Sequence, residues 1–302
     1  MYDIIIVGGG PAGLTAAVYG LRAGKTVLVI EKGAFGGQIT WSPRVENFPT
    51  IPVISGTELG DRLLAQAMEL GADAELAEVI EITQEDGYKL IKTDSGEEYR
   101  ARAVVLATGA KPRELGLEGE EKYIGNGECF CATCDGAFFK GQPVAVNGGG
   151  NTALQDAVML SDICSKVYLI HRRAEFRGEE LLVEQLKAKE NVELILDSRI
   201  TALSGEDSLE GIKVENAAGQ TRDIPVQGLF VAIGRAPVNG PFAKYLDMDG
   251  AGYAAAEENC LTRTPGIFVA GDCRKKQVRQ LTTAIADGSV AGLAACEYID
   301  SL

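Results

Sequence analysis

The apolar positions change period several times along the chain, and each change marks an element. Ile4-Ile5-Ile6-Val7 is a short β-branched run, as in a strand buried on both faces of a parallel sheet. After Gly8-Gly9-Gly10-Pro11-Ala12-Gly13 the period becomes helical, with Leu14, Ala17, Val18 and Leu21 on one stripe and Gly24 placed to stop it. Pro11 fits the first turn of that helix, where its missing N–H is not needed. Residues 26–30 form a second strand, so the opening segment reads as βαβ. A further helix is predicted over 57–70, with Leu59, Leu63, Leu64 and Ala67 inward and Gly71 as its stop. Short strands follow, separated by the turn signals Glu85-Asp86-Gly87 and Asp94-Ser95-Gly96. The section closes on an apolar strand, 103–107, that runs into Thr108-Gly109.

The same order of patterns then restarts. Val144-Ala145-Val146-Asn147 leads into Gly148-Gly149-Gly150-Asn151-Thr152-Ala153, a helical stretch to about Ser161 and a strand over 166–170. A helix over 179–189 and short strands with turns at 205–207 and Gly211 come next, and Leu229-Phe230-Val231-Ala232-Ile233-Gly234 mirrors 104–109. Two copies of one plan imply an internal duplication. The expected fold is α/β, with two Rossmann-like dinucleotide-binding domains, each a central parallel sheet plus a small β-meander. From about Pro241 too little chain remains for a third copy. Another buried-strand run, Ile267-Phe268-Val269-Ala270, ends in Gly271-Asp272, and the tail is expected to pack back onto the first copy.

Composition narrows the class. The chain has 302 residues, 46% of them hydrophobic, enough for about two cores. Its 37 glycines exceed ordinary usage of about 7%, so backbone must turn sharply or approach something closely at many points. A formal net charge of −14 disfavours nucleic-acid binding and anionic membrane surfaces, which call for basic surface. The seven cysteines are odd in number and scattered apart from one cluster, and no leader-like segment or long apolar stretch is present. A reduced, cytoplasmic compartment is the expectation.

The Gly8-x-Gly10-x-x-Gly13 loop stands between strand and helix, as a pyrophosphate cradle requires. Gly8 permits the tight turn, Gly10 lets backbone approach the phosphates, and Gly13 lets helix and strand pack closely, with the helix N-terminus toward the anion. Glu31 ends the next strand, where its carboxylate can accept hydrogen bonds from a ribose diol. Alone the loop could be a structural glycine-rich turn; with strand, helix and acid in register it points to a dinucleotide. In the second copy, Gly148-x-Gly150-x-x-Ala153 has Ala at the third position, an accepted variant. No acid ends the matching strand, which runs instead into His171-Arg172-Arg173-Ala174-Glu175-Phe176-Arg177. An acid there would repel a 2′-phosphate, whereas Arg offers charged, planar donors. NADPH rather than NADH is therefore expected, the alternative being a solvated basic turn.

Cys131-Ala132-Thr133-Cys134-Asp135 precedes the second loop. Two intervening residues let a small-loop disulfide open and close without a large backbone change, and such motifs commonly have a lowered thiolate pKa. Exchange would run through a mixed disulfide, one cysteine attacking and the other resolving, with Asp135 placed to protonate the leaving thiolate. Half a zinc site or two buried cysteines are the alternatives, and no second cysteine pair stands at suitable spacing. His171 is the only histidine, which disfavours Ser-His-Asp and Cys-His mechanisms. Together the parts describe one path: NADPH to a flavin, flavin to the disulfide, disulfide to a protein partner.

With these residues in view, the chain resembles the low-molecular-weight thioredoxin reductases over nearly its whole length. The resemblance rests on 8–13, Gly36-Gly37-Gln38, Glu46-Asn47-Phe48-Pro49, Ala107-Thr108-Gly109, Cys131-Ala-Thr-Cys134-Asp135-Gly136, 148–153, His171-Arg-Arg with Phe176-Arg177, and Gly271-Asp272 followed by Arg279-Gln280. It implies FAD and NADPH as cofactors and thioredoxin, or a related small dithiol protein, as partner. It implies a discontinuous FAD domain, 1–113 and 242–302, interrupted by an NADPH domain, 114–241, that carries the cysteine pair. The implied FAD contacts are Gly8, Gly10, Pro11, Ala12, Gly13, Glu31, Gly37, Gln38, Asn47, Gly109, Gly271, Asp272, Arg279 and Gln280. The implied NADPH contacts are Gly148, Gly150, Asn151, Thr152, Ala153, His171, Arg172, Arg173, Arg177 and Gly234. Cys134 would face the flavin and Cys131 attack thioredoxin. The resemblance also implies a homodimer whose domains rotate about the connecting stretches 109–116 and 234–240. Cys129, Asn147 and Cys273 depart from the common pattern.

Two other readings compete. A dithiol oxidase or ferredoxin-fed reductase would share the fold but typically lacks an intact nicotinamide site, against which Arg172, Arg173 and Arg177 argue. A flavin-binding sensor accounts for the loops and leaves the cysteine pair with Asp135 unexplained. Arg274-Lys275-Lys276, the clearest basic run in the tail, is either a steering patch for a partner or a solvated loop.

Overall fold

The computed structural model describes residues 1–85 and 87–302. Asp86, in the predicted turn 85–87, lies outside the described residues; the strands on either side of it, Val79–Glu85 and Tyr88–Thr93, pair antiparallel. The chain folds into two compact units, Met1–Lys111 with Ala236–Leu302, and Pro112–Arg235. It passes from one to the other in two short strands, Ala110–Pro112 and Arg235–Pro237, that pair with each other.

In the first unit the strand Tyr2–Val7 lies between Val27–Glu31 and Glu98–Leu106, parallel to both. Asp73–Leu76 extends the sheet beyond Val27–Glu31, and Ile267–Val269 pairs in parallel with Glu98–Leu106. The strand 98–106 joins the parallel and antiparallel parts of one mixed seven-stranded sheet. Its first half alternates exposed and buried residues and pairs antiparallel in a meander with Tyr88–Thr93 and Val79–Glu85. Its second half, Ala103 to Leu106, is fully buried and joins the parallel sheet. The apolar signal from 103 onward marks only that buried half, which is why the strand begins five residues earlier than predicted.

Helices cover the parallel sheet. Pro11–Arg22 follows the glycine loop, and Gly24 sits at φ +75 beyond its end. Gly56–Glu69 is capped by Ser55, whose Oγ accepts from Glu58 N at 3.1 Å, and Gly71 at φ +99 lies just past its end. The helix Leu281–Asp300 packs along Pro11–Arg22. Apolar periodicity does not predict it, because its Ala, Gly and Ser residues give almost no apolar stripe. Those small residues let the two backbones meet: a Cβ on Gly288 would stand 2.2 Å from Ala12 O, and one on Gly292 would stand 2.8 Å from Ala16 O. The tail thus clusters with the first unit.

The second unit repeats the plan. Five parallel strands run in the order Val192–Ile195, Lys166–Ile170, Pro143–Asn147, Gly228–Val231, Glu128–Cys129. The helices Asn151–Ser161 and Glu180–Lys187 pack with this sheet, the second shorter than the predicted 179–189. A three-stranded antiparallel meander follows, Ser198–Ser204, Gly211–Asn216 and Thr221–Pro225. Among the described residues no helix is long and apolar enough to cross a membrane.

The close approach of the two helices yields a direct expectation. Gly288→Ala drives a methyl group into the Ala12 carbonyl and costs about 1–3 kcal/mol, seen as a fall of several degrees in the melting temperature. Gly250→Ala, where nothing lies within 4 Å of the added Cβ, leaves the melting temperature unchanged.

Candidate active site and nucleotide loops

In the first unit, the loop 8–13 is the hub of the predicted residues. Gly8 has φ +111, and a Cβ there would lie 2.3 Å from Ala107 O, so the strand end leading to Thr108-Gly109 presses directly on the loop. Gly13 is equally constrained, 1.9 Å from Gly8 O by the same measure. Gly36-Gly37 folds over the loop: Gly36 N donates to Gly9 O at 2.8 Å, and a Cβ on Gly37 would be 3.1 Å from Gly10 Cα. Gly271 completes the ring, its added Cβ falling 2.9 Å from Ala12 Cβ. The Glu31 carboxylate accepts from Gly9 N at 2.7 Å and Gly33 N at 2.8 Å. A carboxylate has about four acceptor positions, so room remains for a ribose diol.

The other predicted residues of this unit fall around that hub. Gln38 Nε2 donates to Ala110 O at 3.0 Å and lies 3.8 Å from a Cβ on Gly109. Asn47 Nδ2 donates to Gln280 Oε1 at 3.3 Å. The Arg279 guanidinium stacks 4.0 Å from the Tyr253 ring, and its Nε donates to Asp272 O at 3.4 Å. Asn239, which sequence reasoning missed, is buried and donates to Gly252 O at 3.0 Å and Cys273 O at 2.8 Å. A lone Asn in a loop carries no sequence signal for such a role.

The second loop reproduces the first. A Cβ on Gly148 would lie 2.6 Å from Ala232 O, the counterpart of Gly8 against Ala107. Gly149 is covered by the His171 ring, 2.1 Å from an added Cβ, and Arg177 N donates to Gly149 O at 2.7 Å. His171 is buried, stacks on Phe176 with ring centroids 5.3 Å apart, and bonds Glu175 O through Nε2. Burial lowers its pKa, aided by the charges of Arg177, Arg173 and Arg172, so the ring is neutral at pH 7. It lies under the loop. Arg172, Arg173 and Arg177 are exposed, and none makes an ion pair among the described residues. Asn151 and Glu179 bond reciprocally at 2.7 and 2.9 Å, Thr152 is exposed, and Gly234 accepts from Arg113 N at 3.0 Å.

Cys131 and Cys134 form a disulfide, with Cα atoms 5.3 Å apart. Cys131 is the N-cap of the short helix Ala132–Asp135 and accepts from Cys134 N at 3.2 Å. The other five cysteines are free and buried. Burial, the charges of Asp135 and Glu128, and a hydrogen bond to Asp135 raise the Cys129 thiol well above its ordinary range, so it stays protonated. Cys273 packs with Sγ 3.2 Å from Ala270 O and 3.6 Å from Leu106 O, a structural thiol in the core beside the sheet. Among the described residues no group of three or more His, Cys, Asp or Glu could hold a metal.

The basic run 274–276 is corrected. Arg274 and Lys276 turn inward and both pair with Asp287 at 2.8 Å, while Lys275 alone is exposed. The Asp287 carboxylate and the carbonyls of Ala256, Glu257 and Thr283 replace hydration of those two cations, so the run is not a steering patch.

The sequence profile of the family described as "Pyridine nucleotide-disulphide oxidoreductase" matches residues 2–288. The chain belongs to this family. It is 38% identical over 304 residues to a thioredoxin reductase of Listeria monocytogenes, covering 100% of this chain and 95% of the relative. It is 39% identical over 299 residues to a "34.2 kDa protein in rubredoxin operon" of Clostridium pasteurianum, covering 98% and 97%. The crystal structure of thioredoxin reductase from Streptococcus pyogenes superposes with a TM-score of 0.93 at 38% identity, covering 100% of this chain and 99% of that one.

This family member is an NADPH-dependent flavoprotein oxidoreductase whose cofactors are FAD and NADPH. The residues present fit them. Both loop helices start at a glycine with no side-chain cap and no acid in the first turn, which leaves the positive helix end for phosphate. An added Cβ meets nothing nearer than 4.0 Å at Gly10 and nothing within 4 Å at Gly150, so backbone is open to a ligand at both.

One acid of the second unit lies outside this scheme. Glu128, on the strand leading to Cys129, is 1% exposed, and neither carboxylate oxygen makes a hydrogen bond. Burial, then the nearby Glu120 and the charge of Glu114, push it up to about 9. Glu120 is itself held by Leu115 N and Gly116 N at 2.6 Å and Leu117 N at 2.9 Å. The folded state keeps a proton on Glu128 that the unfolded state releases above its ordinary value of 4.5, so stability falls as pH rises from there to about 9. Glu128→Gln removes that slope. It is expected to stabilise the protein by about 2 kcal/mol at pH 7–8 and by little at pH 5, measured by denaturant melts at both pH values.

Proposed function

We propose that this protein passes electrons from NADPH through FAD to the Cys131–Cys134 disulfide, and from there to thioredoxin or a thioredoxin- or glutaredoxin-like protein. FAD is assigned to the unit Met1–Lys111 with Ala236–Leu302, and NADPH to Pro112–Arg235. The working form is a cytoplasmic homodimer. The observation that carries the reading is the cysteine pair: one disulfide at a helix N-terminus, in a chain whose other thiols are buried.

When bound, FAD supplies two-electron transfer between a nicotinamide and a disulfide. The residues of this chain do the rest. The 8–13 and 148–153 loops orient the two dinucleotides through backbone amides and helix dipoles. Arg172, Arg173 and Arg177 hold the 2′-phosphate, and His171 positions the loop from beneath. Two electrons break the Cys131–Cys134 bond, and Cys134 is the thiol on the flavin side. The Cys131 thiolate attacks one sulfur of the partner's disulfide, and the partner's other sulfur leaves, taking a proton from Asp135. Cys134 then attacks Cys131 Sγ, which releases the partner's second sulfur and restores the disulfide. The three unpaired guanidinium groups favour this reading over an oxidase or ferredoxin-fed reductase.

Two experiments test the path at different points. In anaerobic stopped flow, Cys134→Ser is expected to leave bleaching of the flavin by NADPH intact and to lower thioredoxin reduction by about a thousandfold or more; unchanged thioredoxin turnover would sink the assignment. Replacing Arg172, Arg173 and Arg177 with Gln is expected to raise the KM for NADPH about 10–100-fold, with kcat and the KM for NADH little changed.

A further inference from the structure

Asp287, within the helix Leu281–Asp300, holds four donors. Its Oδ2 accepts from Gly271 N at 3.0 Å, Arg274 Nε at 3.1 Å and Lys276 Nζ at 2.8 Å, and its Oδ1 accepts from Arg274 Nη2 at 2.8 Å. The Arg274, Lys276 and Asp287 side chains are 11%, 8% and 9% exposed. Arg274 Nη1 also donates to Ala256 O at 3.1 Å and Glu257 O at 3.0 Å, and Lys276 Nζ to Thr283 O at 3.2 Å. Two cations therefore share one carboxylate away from water, and the three charges sum to one positive charge. An uncompensated buried cation is costly unless an anion lies close by.

The place where the cluster sits identifies that anion. Asp287 grips the amide of Gly271, and Gly271 abuts Ala12 in the first glycine loop. Gly288, the residue after Asp287, meets the Ala12 carbonyl. The segment beyond Gly271 hangs on the same cluster, because Arg279 Nη2 donates to Arg274 O at 3.3 Å and its Nε to Asp272 O. We propose that Asp287 is a positioning residue for FAD. With Arg274 and Lys276 it fixes the Gly271-Asp272 turn against the loop and leaves one positive charge beside the site of the dinucleotide's pyrophosphate. This rests on the reading that FAD occupies the first loop.

The test uses the full-length protein purified with FAD. Flavin release on heating is followed by flavin fluorescence, global unfolding by far-UV circular dichroism, and FAD affinity by titrating flavin into the stripped chain. Asp287→Asn keeps the shape and one acceptor oxygen, Lys276→Met keeps the stem and removes the excess charge, and exposed Lys275→Met is the control. Asp287→Asn is expected to bind FAD about 10–100-fold more weakly and to lose flavin well below its unfolding temperature. Lys276→Met is expected to bind about fivefold more weakly, and Lys275→Met like the parent. A merely structural role would shift flavin release and unfolding together. FAD affinities within about twofold of the parent in both variants would overturn the proposal, and if Asp287→Asn does not fold, Lys276→Met decides by the same criterion. A parent chain that takes up no FAD would instead overturn the reading of the first loop.

Discussion

The contact on which the rest of this structure depends is backbone against backbone. Gly8 lies on the carbonyl of Ala107, and Gly148 lies on the carbonyl of Ala232, each so close that no side chain fits between them. Each contact joins the end of one parallel strand to the start of the loop after its neighbour. It therefore sets how far the helix N-terminus stands from the sheet, and that distance is the depth of the nucleotide cradle. In the first unit the later segments accumulate on this point: Gly36-Gly37 over Gly10, Gly271 against Ala12, Gly288 on the Ala12 carbonyl. Residues far apart in sequence converge there because glycine allows each of them to come closer than any other residue could.

Much of this arrangement could be read from the amino acids, and the exceptions have physical causes. The strand–loop–helix units were legible because buried parallel strands are continuously apolar and their loops need glycine. The strand 98–106 was legible only in its buried half, since its first half alternates and pairs antiparallel with the meander. The helix 281–300 was hidden because it packs through small residues, which leave no stripe. The candidate site was legible where chemistry depends on residue type, as with the Cys131–Cys134 pair. It was illegible where the role depends on surroundings. Arg274 and Lys276 read as surface charge until Asp287, a lone acid eleven or more residues on, turned out to face them. Glu128 likewise looks like an ordinary polar residue in sequence, and only the fold takes it out of water.

The cysteines show how strongly environment separates one chemical type into two behaviours. Apolar burial raises the thiols of Cys164 to about 11 and Cys260 to about 12, and Cys273 is raised by the same cause. Those side chains behave as small hydrophobes. The Cys131–Cys134 pair lies at a helix start and is only partly buried. Cys129, two residues away, falls on the inert side of that division because it is buried and bonded to Asp135. The two cysteines that pair are close in sequence and only partly buried, whereas the other five are buried.

The division of the first unit into two stretches of chain has a consequence for biosynthesis. Pro112–Arg235 is continuous, so its sheet and helices can close as soon as that stretch is made. Met1–Lys111 cannot follow the same course. It lacks the strand Ile267–Val269, and the face of Ala12, Thr15 and Ala16 stays uncovered until the helix Leu281–Asp300 arrives. The earlier stretch of the first unit therefore keeps apolar surface open until the later stretch reaches it. A nucleotide cradle built from the 8–13 loop, Gly271 and Gly288 is complete only when both stretches of the first unit are present.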